Sequence, residues 1–301
     1  MAATALVVLA GGLTACGTSG SAVSSSGVVS VVAAENEYGN VAAQIGGRYV
    51  HVLSVESNPN TDPHTYEVSP AVARDVSGAG LIIQNGLGYD SFMDKVESAS
   101  SSTRRTVLNV QHLLGLPDST PNPHLWYDPQ TMPKVAKAVA DDLSALDPAH
   151  AHSFQANLST FDASLNPWRH AIAAFKAKYA GTPAATTEPV ADDLLKAMGI
   201  DNLTPFAFQA NIMNGNDPTP QDVALENSFF SHHRVKLFAY NEQVVSSLTG
   251  SFRTHAQHAG VPVVGVYETM PTPGYNYQSW MLAETNALQK AVVDKTSTLK
   301  L

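Results

Sequence analysis

Charge is scarce in this chain. Lys and Arg number 17 and Asp and Glu 26, so charged residues make up 14% of the 301 residues, against about 25% in an average soluble protein. The polar surface must therefore rest largely on Ser, Thr, Asn and Gln. Basic residues are the scarcer sign, and the net charge of −9 argues against a nucleic-acid binder, which carries a basic patch. It is compatible with a cationic ligand. Cysteine is nearly absent: Cys16 stands alone, which excludes an intramolecular disulfide and any multi-thiolate zinc or iron–sulfur site. No His-Glu-x-x-His and no Gly-x-Ser-x-Gly occurs, so the commonest signatures of zinc peptidases and of serine hydrolases are missing.

The apolar content of 44% is enough for packed cores, and the length suits about two domains. Residues Ala2 to Ala15, AATALVVLAGGLTA, are almost wholly apolar or small. That run is too short for a spanning helix, which needs about 20 residues, and fits the h-region of a signal peptide. No Lys or Arg precedes it, although a signal peptide carries a basic n-region there. Its end, Leu13-Thr14-Ala15-Cys16, resembles the lipobox of bacterial lipoproteins, in which cleavage leaves a lipid-bearing cysteine. Gly17 to Gly27, GTSGSAVSSSG, cannot bury a face and reads as a flexible tether. The expected organisation is a signal peptide with lipobox at 1–16, a tether at 17–27, and folded parts outside the membrane.

Two similar halves follow. Val28 to Ala34 is an apolar, β-branched run read as a buried strand, Glu35 to Ile45 a helix and Tyr49 to Val55 a second strand. Helix Ser69 to Ser77, strands Gly80 to Gln84 and Arg105 to Val110, and helix Pro129 to Leu146 complete an α/β pattern. The second half repeats it. Strands are expected at Pro183 to Thr187, Val235 to Tyr240 and Pro262 to Val266. Helices are expected at Pro189 to Met198, Pro220 to Phe230, Gln243 to His258 and Tyr275 to Val293. Such alternation implies mainly parallel sheets, giving lobes at 28–146 and 180–301. Between them, residues 147–179 carry apolar positions near helical spacing, behind Asp147 as N-cap and Pro148 at the first helical position. One helix of that length would run about 45–50 Å and cross both lobes, kinked at Pro167; two helices in a bundle are the alternative.

Of the eleven His, nine read as solvated or hydrogen-bonded residues: His51, His112, His150, His152, His170, His232, His233, His255 and His258. His64, in Asp62-Pro63-His64, and His124, in Asn122-Pro123-His124, differ by context. Each follows a proline that stiffens its loop, and each loop lies between a strand and a helix, at the ligand-binding edge of an α/β sheet. Glu188 and Glu268 stand at equivalent junctions of the second half. Either carboxylate also has a plainer reading, as a helix N-terminal acid answering the macrodipole.

The segments NTDPHTYEVSP, IIQNGLGYDSFM, NPHLWYDP, TTEPVADDLLKAMGI and VPVVGVYETMP resemble the zinc- and manganese-binding solute-binding lipoproteins of bacterial metal ABC importers, in order over about residues 28–293. The resemblance implies two lobes bridged by one long helix with the metal in the cleft between them. It maps the two His ligands onto His64 and His124 and a third ligand onto Glu188. It sets Glu268 where the family usually has Asp, a departure. The His-rich loop common in zinc members has no counterpart in Leu113 to Asn122, LLGLPDSTPN.

Two neutral imidazoles and two carboxylates neutralise a divalent ion and suit tetrahedral or slightly expanded coordination. Zn²⁺ or Mn²⁺ is thus the expected transported ligand, with zinc favoured on affinity alone. Four protein ligands leave no committed position for a reactive water, so the chain is expected to be a receptor and not an enzyme. The expected partners are a divalent metal ion, the membrane permease of a metal ABC importer and a lipid anchor at Cys16 on the extracytoplasmic face, with a monomeric chain and no nucleic acid. The competing readings are a secreted zinc-dependent hydrolase and an adhesin-like surface lipoprotein with incidental metal.

Overall fold

The structure, a computed structural model, describes residues 27–60, 66, 68–100, 102 and 104–301. Cys16 with the whole leader, tether residues 17–26 and His64 lie outside the described residues.

The first lobe runs β1 (Val29–Glu35), α1 (Asn36–Gly46), β2 (Val50–Glu56), α2 (Pro70–Gly78), β3 (Leu81–Gln84), α3 (Ser91–Ala99), β4 (Thr106–Asn109), α4 (Val110–Leu114) and α5 (Thr131–Leu146), with a 3-10 turn at Leu125–Tyr127. The second runs β5 (Thr182–Thr186), α8 (Asp192–Met198), β6 (Ile200–Asn202), α9 (Phe206–Met213), α10 (Pro220–Ser231), β7 (Leu237–Asn241), α11 (Ser247–His258), β8 (Val263–Val266) and α12 (Tyr277–Val293). Each lobe is one parallel four-stranded sheet, ordered β2-β1-β3-β4 and β6-β5-β7-β8. The two orders are the same, so the strand direction of travel reverses beside β1 and again beside β5. At such switch points the loops leaving the strand C-termini open a crevice.

The buried strands read as near-continuous apolar runs because helices cover both faces; β7, LFAYN, is buried at all five positions. Periodicity assigns no element to α3, α4, α9 or β6. β6 has three residues and one fully buried side chain, Ile200, too little for a pattern of period two. α11 starts later than the apolar pattern suggests. The Ser246 side chain accepts from the Thr249 N–H in a capping box, which begins the helix at Ser247 and leaves Glu242 to Val245 as a loop.

The segment between the lobes is helical as α6 (Ala151–Ser164) and α7 (Asn166–Tyr179), interrupted at Leu165. Pro167 has no N–H for the Ala163 carbonyl, and the Leu165 N–H tightens onto the Asp162 carbonyl at 3.3 Å. α7 packs on α12, where Trp168 Nε1 donates to Thr285 Oγ1 at 2.9 Å. The lobes are also sewn together near the cleft. Asn36 donates to the Met270 carbonyl and accepts from its N–H, at 2.9 and 3.0 Å, while Gln44 and Gln278 exchange amide hydrogen bonds. Tyr277 Oη donates to the Trp126 carbonyl at 2.7 Å. One apolar core runs through both lobes and includes Tyr38, Trp126, Tyr127, Trp168, Tyr277 and Trp280.

Two buried acids lie inside this packing. Tyr127 Oη is 2.8 Å from the Tyr267 carbonyl and 2.9 Å from Glu284 Oε1. One hydroxyl proton cannot serve both acceptors, and a protonated Glu284 completes the set by donating to Tyr127. Burial pushes the Glu284 carboxyl up to about 8, against partial relief from Tyr127 and Trp280. Burial likewise pushes Glu226, which accepts from Thr204 Oγ1 at 3.0 Å, up to about 8. Their folded-state values lie above the unfolded ones, so the folded chain holds extra protons. That stability is complete below about pH 4.5 and is lost as pH rises toward and through about 8, by up to about 1.4 kcal/mol per pH unit per group. The Tm should therefore fall between pH 5 and 9, and Glu284→Gln with Glu226→Gln should flatten the fall in thermal melts.

Candidate metal site

Three of the candidate ligands come together. His124, Glu188 and Glu268 are all buried, at 0%, 2% and 1% exposure, although they come from different lobes and lie 64 and 80 residues apart in sequence. His124 Nε2 lies 3.2 Å from Glu268 Oε2. The amide nitrogen of Asn241 donates to Glu188 Oε1 at 3.1 Å and to Glu268 Oε1 at 2.7 Å. All four residues sit where strands end: Glu188 two residues beyond β5, Asn241 at the last position of β7, Glu268 two beyond β8, and His124 in the loop that follows β4 and α4. In the first sheet β2 also ends at this edge, at Glu56; His64 itself lies outside the described residues.

The His124 loop is set by two asparagines. Asn122 Oδ1 accepts from His124 Nδ1 at 2.8 Å and from its backbone N–H at 3.1 Å, and Asn122 Nδ2 donates to the Pro189 carbonyl at 3.0 Å. Because Nδ1 carries the donated proton, Nε2 is the atom presented to the cleft. Asn122 also ties this loop to the residue after Glu188. Asn85, just beyond β3, donates to the Pro123 carbonyl at 2.9 Å and accepts from Tyr38 Oη at 2.6 Å. Asn85 is in turn held by Asp90, whose carboxylate accepts the Asn85 and Gly86 N–H groups at 2.6 and 3.0 Å. Burial raises Asp90 to about 6 while those two N–H groups work against it. Gly86 sits at φ 83 with Asn109 and Gln111 against it, leaving no room for a Cβ.

In the second lobe Glu188 follows Thr186 and Thr187. Thr186 Oγ1 accepts from Asn202 and Gln209 amides at 3.1 and 2.7 Å, and the Thr186 N–H donates to Thr204 Oγ1 at 2.9 Å. The same two amides hold Asp192, which burial raises to about 6. Glu268 is held through its backbone. Gln243 Oε1 accepts the N–H groups of Glu268 and Thr269 at 2.6 and 2.8 Å. Tyr89 Oη donates to Glu268 Oε2 at 3.0 Å, and Tyr89, His124 and Trp126 stack edge to face at 5.2–5.7 Å. The result is an aromatic wall on one side and two carboxylates on the other.

Among the described residues no three His, Cys, Asp or Glu side chains form a ready-made metal group by themselves. The Asn241 amide lies between the two carboxylates, and His64 falls outside the described residues. One imidazole nitrogen facing carboxylate oxygens in a buried cleft is nonetheless a donor set for a divalent cation. The nine other His are exposed or half-buried; His150 bonds Asp147 and stacks on Tyr49, and His255 bonds Asn227.

Sequence reasoning did not single out Asn241, Gln243, Asn122, Tyr89 or Asn85. Tyr89 and Asn85 stand inside the IIQNGLGYDSFM segment and Asn122 inside NPHLWYDP, so the signal was present without a role. Asn241 had none: the strand pattern ends at Tyr240, one residue short. Gln243 reads as a helix start, and only the later start of α11 turns it into the cradle of Glu268.

A family model described as Zinc-uptake complex component A periplasmic matches residues 31–291. Manganese-binding lipoprotein MntA of Bacillus subtilis is 25% identical over 159 residues, 51% of this chain and 52% of that protein. Manganese ABC transporter substrate-binding lipoprotein PsaA of Streptococcus pneumoniae is 28% identical over 176 residues, 53% and 55% respectively. The chain thus spans about half the length of these curated relatives. Among solved structures, periplasmic zinc binding protein TroA from Treponema pallidum superposes with TM-score 0.74 over 90% of this chain and 100% of that one, at 18% identity. Such a likeness shows the fold.

The Asn122 contacts generate a direct expectation. Asn122→Ala should leave the fold intact by circular dichroism and weaken binding of a divalent ion roughly 10–100-fold in calorimetry, as loss of an outer-shell partner does.

Proposed function

Because the chain belongs to the family of zinc-uptake complex component A over residues 31–291, we propose that it is an extracytoplasmic receptor that captures Zn²⁺ or Mn²⁺ and hands it to the membrane permease of an ABC importer. The observation that carries this reading is the meeting of His124 Nε2 with Glu268 Oε2, and of Glu268 with Glu188 through Asn241, in a buried cleft built from both lobes. His64 completes the set as the second imidazole. Two neutral imidazoles and two carboxylates cancel the charge of a divalent ion, which offsets its lost hydration.

Coordination by ligands from two lobes makes affinity depend on lobe geometry, and a permease that separates the lobes releases the ion. The metal is cargo, and the chain carries out no reaction: its donors are consumed in holding the ion. The names of the relatives, which pair manganese binding with lipoprotein and ABC transport, support the same reading. We further assign Cys16 as the lipid attachment point of a monomeric receptor. Among the described residues no helix is long and apolar enough to cross a membrane.

The metal-stripped chain should take up one Zn²⁺ or Mn²⁺ per molecule without turning over ester or peptide substrates. His64→Ala and His124→Ala should each weaken binding by more than the roughly 100-fold upper range of outer-shell changes. Unchanged affinity by calorimetry would remove these residues from the site. Cys16→Ser should move the protein from the membrane fraction to the soluble fraction, and its retention in the membrane would defeat the lipid assignment.

A further inference from the structure

A second group of acids stands at the strand ends of the first lobe, apart from the candidate ligands. Glu35 ends β1 and Glu56 ends β2, and the two are direct neighbours in the parallel register. Glu37 lies in the first turn of α1. Glu35 and Glu37 are 2% and 0% exposed, and none of their four carboxylate oxygens has a hydrogen-bond partner. They sit beside the strand reversal at β1, where an α/β sheet opens its crevice. An ionised carboxylate stripped of both water and donors is far costlier than a neutral acid, so each is expected to hold a proton instead.

Their surroundings reinforce this. Burial raises the Glu35 carboxyl well above the usual carboxylate range, and Asp90, Glu37 and Glu56 raise it further. Burial raises Glu37 in the same way, with Glu56 and Glu268 adding to the rise. The backbone N–H of each acid gives some relief without forming a hydrogen bond. Tyr38, Tyr89 and Tyr277 also lie within reach of the charge of Glu37. Among the described residues no Lys or Arg acts on either acid.

The group is joined to the cleft. Asn36, between the two acids, exchanges hydrogen bonds with the backbone of Met270, two residues after Glu268. Tyr89 donates to Glu268 Oε2 and lies within reach of the charges of Glu37 and Glu35. A divalent ion beside Glu268 would place its charge where Glu37 and its neighbours respond. Positive charge nearby favours the ionised carboxyl and expels its proton, and the low dielectric of a buried site extends that reach. We propose that Glu35 and Glu37 store protons in the metal-free chain and release them to solvent when a divalent ion enters the cleft, so that cargo is exchanged for protons held outside the ligand set. The metal-free chain then binds more protons than the loaded one, so affinity rises with pH and acid favours unloading. The inference rests on the receptor reading above and deepens it by naming a regulation of that receptor.

The test uses the full metal-stripped chain, a double variant with Glu35→Gln and Glu37→Gln, which keeps the shape and removes the titration, and Glu226→Gln, a buried acid of the second lobe, as control. Zn²⁺ is titrated by calorimetry from about pH 6 to about pH 9, in buffers of different ionisation enthalpy, which counts the protons released per ion. The unsubstituted chain should release more protons than the double variant. Its affinity should climb more steeply with pH, by up to about tenfold per pH unit for each extra proton. Glu226→Gln should match the unsubstituted chain. In infrared difference spectra, Zn²⁺ should remove a protonated-carboxyl band from the unsubstituted chain that the double variant lacks. A merely structural role would lower affinity equally at every pH and leave the proton count unchanged. Equal counts and slopes in a double variant with native circular dichroism, or an equal drop in Glu226→Gln, overturn the inference while leaving the receptor reading standing. If the double variant does not fold, the infrared spectrum of the unsubstituted chain decides, and Zn²⁺ binding without loss of that band overturns the inference. Failure of that chain to bind Zn²⁺ or Mn²⁺ at any pH overturns both.

Discussion

Everything around the cleft answers one electrostatic problem: two glutamates and a histidine must be held out of water and close together. A carboxylate removed from solvent costs roughly several kcal/mol even after the surroundings relax. Here two of them share one donor, the Asn241 amide, which supplies only partial positive charge. The arrangement is tolerable because each acid is also fixed through its backbone or neighbours, so little freedom is left to be lost when a cation arrives. Glu268 is held by Gln243 and Tyr89, Glu188 by the network around Thr186 and Thr187. A divalent ion would turn this costly cluster into a neutral one, which is the physical basis for reading the cleft as a trap for cations.

The fold supplies the convergence. Each lobe is a parallel sheet with the same strand order, and the two sheets send their strand C-termini toward a shared boundary. Parallel strands carry ligands at that end because the loops there are free to differ while the strands stay buried. The boundary is also where the lobes are joined. Asn36 meets Met270, two residues after Glu268, and Tyr127, three residues after His124, reaches the Tyr267 carbonyl beside Glu268. The loops of His124 and Glu268 and the inter-lobe contacts therefore share short stretches of chain, so movement of one lobe against the other must disturb the His124–Glu268 contact. Such coupling is what capture followed by release requires.

Much of this was legible before any coordinates. The alternation of β-branched runs with helical periods gave two α/β halves, and the placement of His124, Glu188 and Glu268 at strand ends followed from it. Short or weakly patterned elements were not legible. β6 is too brief to show a period, and α3 is too polar. The supporting amides escaped for another reason. Asn and Gln are common in a chain this poor in charge, and nothing in composition separates Asn241 or Gln243 from a solvated surface residue. Only burial and the direction of each amide mark them.

By itself the sequence determined the class of fold, the sheet edge that carries the chemistry, and the residue types able to meet a divalent ion. These depend on local periodicity and on side-chain chemistry, both of which are properties of short segments. Tertiary structure alone decided which atoms face one another. It made Nε2 of His124 the presented nitrogen, through Asn122. It turned Oε1 of both glutamates toward Asn241 and Oε2 of Glu268 toward His124. Those choices join residues up to 144 positions apart, and no pattern along the chain encodes a distance that exists only once both lobes have packed.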